Sequence, residues 1–265
     1  MLKINFRPIL VGCTLSFVFL FVSSRIIYAQ PTMKFPWDSS HQARYTGGPH
    51  GAKFVGGRLV GGNVCDKFLI WEQSGVDFAT GSNFDVLAVA GGAIFKINTD
   101  QNDPQGRGRY VIVNHSDGWQ TQYWHLDSVN PSLSEGLGIA QGRLLGRSGK
   151  TGVATGIHVH LELRKDGGRV QWDGKSIDGW KVRSVWEVVG QSTTGYGFNY
   201  KGTMTKGGEN SQILGICSAT DLRLLGTTAT AHAHPTQTLL SSSNVKDTGP
   251  TPPPPGCPAY PYPGQ

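Results

Sequence analysis

The sequence predicts a mostly β fold with an antiparallel sheet at its core and long glycine-rich loops. Three observations point there. Glycine accounts for 37 of the 265 residues, about twice the usual share. Runs of alternating apolar and polar residues recur with Gly, Asp or Asn between them, and segments of helical period are scarce. On this basis strands are expected at 86–90, 93–98, 109–115, 120–126 and 158–164. Residues 180–189 (WKVRSVWEVV) fit a strand or a short helix, and we read them as a strand.

The two ends of the chain differ from its middle. Residues 1–29 read as a cleavable secretory signal peptide: Lys3 and Arg7 come first, an apolar run at 9–22 follows, and Ala29 is the small residue before the cut. That run is too short to span a bilayer comfortably. A membrane anchor is the rival reading, and Arg25, close behind the run, opposes it. LVGC at 10–13 resembles a lipoprotein signal, but the apolar core follows the cysteine instead of preceding it. The expected location is extracellular or periplasmic, with no stable membrane insertion once the leader is gone. The formal charge of +6 falls to about +3 when Lys3, Arg7 and Arg25 leave, which makes no case for nucleic acid. Cys65, Cys217 and Cys257 then remain. One pair is expected to bridge in an oxidising compartment, and all three pairings stay open. Beyond Gly208 the character changes: 209–265 is read as a Ser/Thr/Pro-rich C-terminal extension, and its tail from Thr227 on, rich in Ser, Thr, Ala and His before the proline run, is expected to be an extended or disordered appendage. The domain proper is expected at 30–208.

The sharpest local feature is HVHLELR at 158–164. Strict alternation puts Val159, Leu161 and Leu163 on one strand face, and His158, His160 and Glu162 on the other. Two imidazoles two residues apart on one face can reach a common ion, but such a pair is also what two surface histidines on a half-buried strand look like. Elsewhere, Thr121, Tyr123 and His125 share a face in one run, with Trp124 and Leu126 opposite. Asp77 points away from the face that Val76 and Phe78 bury. His50 sits in GGPHG, a tight turn that lets backbone approach a bound ion. Taken singly, each has an ordinary structural explanation. Together they supply neutral imidazoles, one carboxylate and spare basic groups, the make-up of a catalytic zinc site.

YTGGPH at 45–50, GVDF at 75–78, YWHL at 123–126 and GKTGVATGIHVH at 149–160 resemble, in that order, the signature segments of the lysostaphin, staphylolysin and beta-lytic metallopeptidases. Their LytM-type domain cuts peptide bridges in bacterial peptidoglycan. The resemblance covers residues 41–208. It implies one Zn2+ per chain on His50, Asp77 and His160, with His125 and His158 beside the metal as the catalytic pair. It also implies an endopeptidase acting on peptide crosslinks, glycine-containing ones in the staphylolysin-like branch; the secreted chain is expected to be a monomer. The long stretch between His50 and Asp77, which contains Cys65, departs from the pattern and suggests a loop insertion at the cleft edge.

Other readings stay in view. Some relatives have lost ligands and act as non-catalytic wall-binding regulators, which would show as a substitution among the five positions. An extracellular carbohydrate-binding protein would use Trp119, Trp124 and Trp172 to line a groove. SGKT at 148–151 imitates a phosphate-binding loop, but Leu144 stands where that motif needs glycine. His115 ends a β run and suits either a supporting role at the cleft or a place in the core. His41 belongs to the lead-in, and His232 and His234 lie in the tail without a carboxylate neighbour.

Overall fold

The computed structural model describes residues 29–51, 53–55, 58–61, 74–192, 195–219, 228–233 and 238–247, with side chains described except at 53–55, 58–61, 186–192, 195–200, 214–219 and 228–233. The leader before Ala29, the side chains of all the cysteines, His232 and His234, and the proline run all lie outside these residues. Ten strands frame the discussion: β1 (Gln42–His50), β2 (Gly75–Ala79), β3 (Gly92–Asn98), β4 (Arg109–Asn114), β5 (Trp119–Val129), β6 (Leu144–Ser148), β7 (Val159–Lys165), β8 (Trp180–Ser192), β9 (Gly195–Lys206) and β10 (Glu209–Ala219). The protein is mostly β, as its composition predicts, and these strands pair antiparallel. Residues 180–189 are strand.

The main sheet runs β1–β2–β7–β5–β4–β3, with Leu240–Ser241 beyond β1 and Gly138–Ile139 beyond β3. Alternation works as expected on its inner face: Val76, Phe78, Val111, Val113, Val159 and Leu161 are all fully buried. The lead-in packs beneath them. Phe35 stacks on Trp37 with centroids 4.6 Å apart, and Phe78 meets both edge-on. Complete burial of a side chain such as Leu161 contributes about 1.5–3 kcal/mol. The opposite face is not the solvated one of a half-buried strand. His160 and Glu162 are 3% and 1% exposed, so the polar face of β7 is also enclosed. Trp119, Trp124 and Trp172 are buried too, which removes the exposed platform that a sugar-binding groove would need.

Beyond Gly208 the described residues join both sheets. β10 pairs with β9 along its whole length, from Lys206↔Glu209 to Tyr196↔Ala219, in a second sheet of order Ser176–Ile177, β8, β9, β10, Thr228–Ala233. Residues 238–247 return to the main sheet. Leu240 is fully buried opposite Ala43, and the buried Asn244 donates from Nδ2 to the carbonyls of Phe35 (3.0 Å) and Ala88 (3.2 Å). Low-complexity composition hid these contacts because a few anchors, such as Leu240 and Asn244, hold the segment.

His115 belongs to the core and not to the cleft. Its Nδ1 donates to the Gly91 carbonyl at 2.8 Å, and its Nε2 lies 2.8 Å from Thr121 Oγ1. Burial pushes the imidazole down to about 4, against only a modest opposing effect of the Gly91 bond. Because the ordinary value is 6.5, the unfolded chain binds more protons than the folded one between those two pH values. Stability from this group is therefore complete above pH 6.5 and is lost as pH falls towards 4. At about 1.4 kcal/mol per unit, the loss is on the order of 3 kcal/mol. Urea unfolding between pH 7 and 4 should show a shallower decline in His115→Gln than in the parent, since the amide can make both bonds without titrating.

Candidate metal centre

The site forms where three neighbouring strands meet. In the β1–β2–β7 register, Asp77 lies opposite Gly47 on one side and His160 on the other, while His50 lies opposite Gly75. His50 is therefore the end of a strand, not part of the tight loop expected from GGPHG. β1 bulges twice between Tyr45 and His50, and Gly48 takes a φ of +104° where a Cβ would lie 2.6 Å from the Gly75 carbonyl. Two further glycines make room for the site itself. A Cβ at Gly47 would lie 2.3 Å from Asp77 Oδ2, and one at Gly75 would lie 2.2 Å from His160 Cε1.

Asp77 joins the two histidines. His50 Nε2 is 2.9 Å from Oδ2, and His160 Nδ1 is 2.9 Å from Oδ1. One nitrogen from each imidazole and one carboxylate oxygen all lie within 4.8 Å of one another. His50 Nδ1 donates to the Gly51 carbonyl at 3.0 Å, which turns Nε2 towards the group. Trp124 stacks on the His160 ring at 4.5 Å and 25°. Two imidazoles, one carboxylate and the glycine-made space around them match the three-ligand donor set of a catalytic zinc ion.

His125 and His158 stand beside this triad with rings 4.9 Å apart. His158 precedes β7, its Nδ1 donating to the Gly156 carbonyl at 2.9 Å and its Nε2 lying 3.9 Å from Asp77 Oδ1. His125 Nδ1 donates to the Thr151 carbonyl at 2.8 Å. Here alternation misleads. The β4–β5 register slips between Val111↔Tyr123 and Arg109↔Leu126, and His125 adopts a φ of 63°. This bulge re-aims one side chain. His125 and Trp124 both reach the site, while Tyr123, expected to share a face with His125, is buried in the core with its hydroxyl accepting from Val89 N–H at 2.9 Å. Tyr123 is thus no candidate for contacting substrate. Sequence reasoning also missed Trp124, for which the only available signal was its adjacency to His125.

The charges are strongly coupled. Burial alone would raise the Asp77 carboxyl, but His50 and His158, together with the hydrogen bonds from His160 and His50, hold it well below its ordinary range. Burial opposes a charge on His160, yet Asp77 and Glu162 push it up to about 9. Burial, and then the neighbouring His158 and His160, bring His125 down to about 3. Asp77 and Glu162 thus favour a proton on His160, and a cation bound at this point would compete with it. Zinc addition at pH 7 should release a proton, detectable as a buffer-dependent calorimetric heat, and affinity should climb as pH rises towards 9. Gly75→Ala should fold but lose zinc uptake, measured by metal content, because its Cβ overlaps the His160 ring.

Comparison with known proteins follows the same segment of chain. The family model for Peptidase family M23 matches residues 72–172, a span that holds Asp77, His125, His158 and His160 but not His50. Stage II sporulation protein Q of Bacillus subtilis is 38% identical over 99 residues, 36% of this chain and 33% of that protein. An uncharacterised metalloprotease of Haemophilus influenzae is 34% identical over 98 residues, 37% of this chain and 20% of that protein. Peptidoglycan DD-endopeptidase ShyA of Vibrio cholerae is 32% identical over 91 residues, 34% of this chain and 20% of that protein. The match thus spans between a fifth and a third of these relatives' length. Among solved structures, the deep-sea M23 metalloprotease pseudoalterin is 22% identical with a TM-score of 0.45, covering 69% of this chain and 96% of that one.

Proposed function

From a chain whose residues 72–172 form a domain of peptidase family M23, we propose a secreted zinc metalloendopeptidase that hydrolyses peptide crosslinks of bacterial peptidoglycan. The observation that carries this reading is the convergence of His50, Asp77 and His160 on one point, with His125 and His158 close by. None of the five positions is substituted, which favours an enzyme over a non-catalytic wall-binding module. The peptidoglycan substrate is supported by the endopeptidase named among the relatives, and the leader read at 1–29 supports export to the wall.

His50, Asp77 and His160 would hold one zinc ion. Bound there, zinc supplies Lewis acidity towards a carbonyl oxygen and lowers the pKa of water to about 7. The rest is the work of the chain. His125 and His158 each anchor Nδ1–H on a backbone carbonyl, which fixes the tautomer and leaves Nε2 for the reaction. Between them they accept the proton of the attacking water and stabilise the negative charge that develops on the scissile carbonyl. The bulge that turns His125 inward sets the distance between the two rings. Trp124, packed flat on His160, screens that imidazole from water on one side.

The two groups of residues should separate in mutagenesis. Asp77→Ala or His160→Ala should abolish both zinc content and the release of new peptide termini from purified peptidoglycan. His125→Ala and His158→Ala should retain zinc yet turn over about 10²–10⁴-fold more slowly. Activity that survives a strong chelator, or zinc retained by the first pair of variants, would rule out the assignment. Digestion of peptidoglycans with different crosslinks identifies the bond, glycine-containing bridges being the expected preference.

A further inference from the structure

The enclosed polar face of β7 carries a second carboxylate behind the metal centre. Glu162 follows His160 by two residues and is 1% exposed. Its Oε1 accepts from Arg164 Nε at 2.7 Å and has Arg169 Nε at 3.7 Å. Its Oε2 is buried and has no hydrogen-bond partner among the described residues. His160 has the complementary gap: Nδ1 faces Asp77, while the buried Nε2 has no hydrogen-bond partner among the described residues. These two unmatched atoms lie 3.8 Å apart. Buried donors and acceptors left unmatched are rare because each forfeits its hydration.

The neighbours explain why this pair is reserved for itself. Gln122 lies opposite Glu162 in the register, but its amide is held by other partners, the oxygen accepting from Trp124 Nε1 at 3.0 Å and the nitrogen donating to Gln120 Oε1 at 2.8 Å. Trp124 stacks on the His160 ring and limits its rotation. A neutral imidazole has a single N–H. If the Nδ1 lone pair is given to a metal, that hydrogen must sit on Nε2, and the nearby acceptor is Oε2.

We propose that Glu162 is a positioning residue for the metal centre: Oε2 accepts the Nε2–H of His160, which fixes Nδ1 as the metal-facing nitrogen and makes it a stronger donor. Arg164 and Arg169 hold Oε1 so that Oε2 is the oxygen turned towards His160. The inference rests on the reading of His50, Asp77 and His160 as zinc ligands. A carboxylate behind a ligating histidine is worth roughly 10–100-fold in metal affinity.

Zinc affinity, measured by competition with a chromophoric chelator, tests this in the full chain and in Glu162→Ala and Glu162→Gln. The alanine variant should bind zinc 10–100-fold more weakly, and the glutamine variant should recover part of that loss because its amide oxygen can still accept. A role confined to pairing with Arg164 and Arg169 would lower the melting temperature of the metal-free protein but leave the zinc affinity of the folded protein unchanged. That result would overturn the proposal. Side-chain 15N spectra of zinc-loaded parent protein decide the matter even if both variants fail to fold. Metal on Nδ1 with a slowly exchanging proton on Nε2 is expected, and metal on Nε2 overturns it. Parent protein that takes up no zinc would instead sink the metal-centre reading, and this inference with it.

Discussion

The carboxylate of Asp77 joins three strands through side chains as well as backbone. It meets His50 at the end of β1 and His160 on β7, the two strands that flank its own. Its geometry is possible only because the backbone gives way around it. Gly47 and Gly75 carry no side chain where one would collide with Asp77 and His160, respectively. The same carboxylate also sets the charge balance. It stabilises a proton on His160 and is in turn kept ionised by the imidazoles around it.

Around that centre the sheet divides its two faces by task. The inner face is a continuous apolar core in which aromatic rings of the lead-in, Phe35 and Trp37, meet Phe78. The outer face of β5 and β7 is a ladder of cross-strand pairs, with Trp124 opposite His160, Gln122 opposite Glu162 and Gln120 opposite Arg164. Its polar groups are buried, so they must satisfy one another. The amides of Gln120 and Gln122 do so in series, ending on the Trp124 indole. Such a chain makes the orientation of each member depend on the next. The ring against which His160 stacks is thereby set by residues that never touch the metal centre.

Two features distant in sequence hold this arrangement from outside. Asn244 fastens the returning C-terminal segment to the backbone of both the lead-in and the sheet edge, and Ser243 donates from its backbone N–H and its hydroxyl to Asp178. The loop that contains Thr151 supplies the carbonyl on which His125 turns. Its hydroxyl donates to the Leu126 carbonyl at 2.7 Å, so the bulged end of β5 and this loop are locked as one unit. His125 and His158 are thus positioned by backbone carbonyls, which cannot rotate away as side chains can.

Much of this was legible in the sequence because its signals are local. Period-two alternation follows from strand geometry alone, and it correctly separated Val159, Leu161 and Leu163 from His160 and Glu162 before any partner strand was known. Residue chemistry likewise singled out His50, Asp77, His125, His158 and His160 as candidates. What alternation could not supply is anything that depends on the neighbouring strand. A one-residue bulge in β5 parted Tyr123 from His125, which were expected to share a face, and the pairing of β1 with β2 brought His50 to Asp77, 27 residues on in sequence. Enclosure of the outer face turned Glu162 from a solvated charge into a buried one beside a ligand candidate. Each of these is set by register and packing between distant segments, for which the chain carries no short-range signature. The sequence by itself therefore determined which side chains could form the site. Only the tertiary structure decided which of them meet, and at which atom.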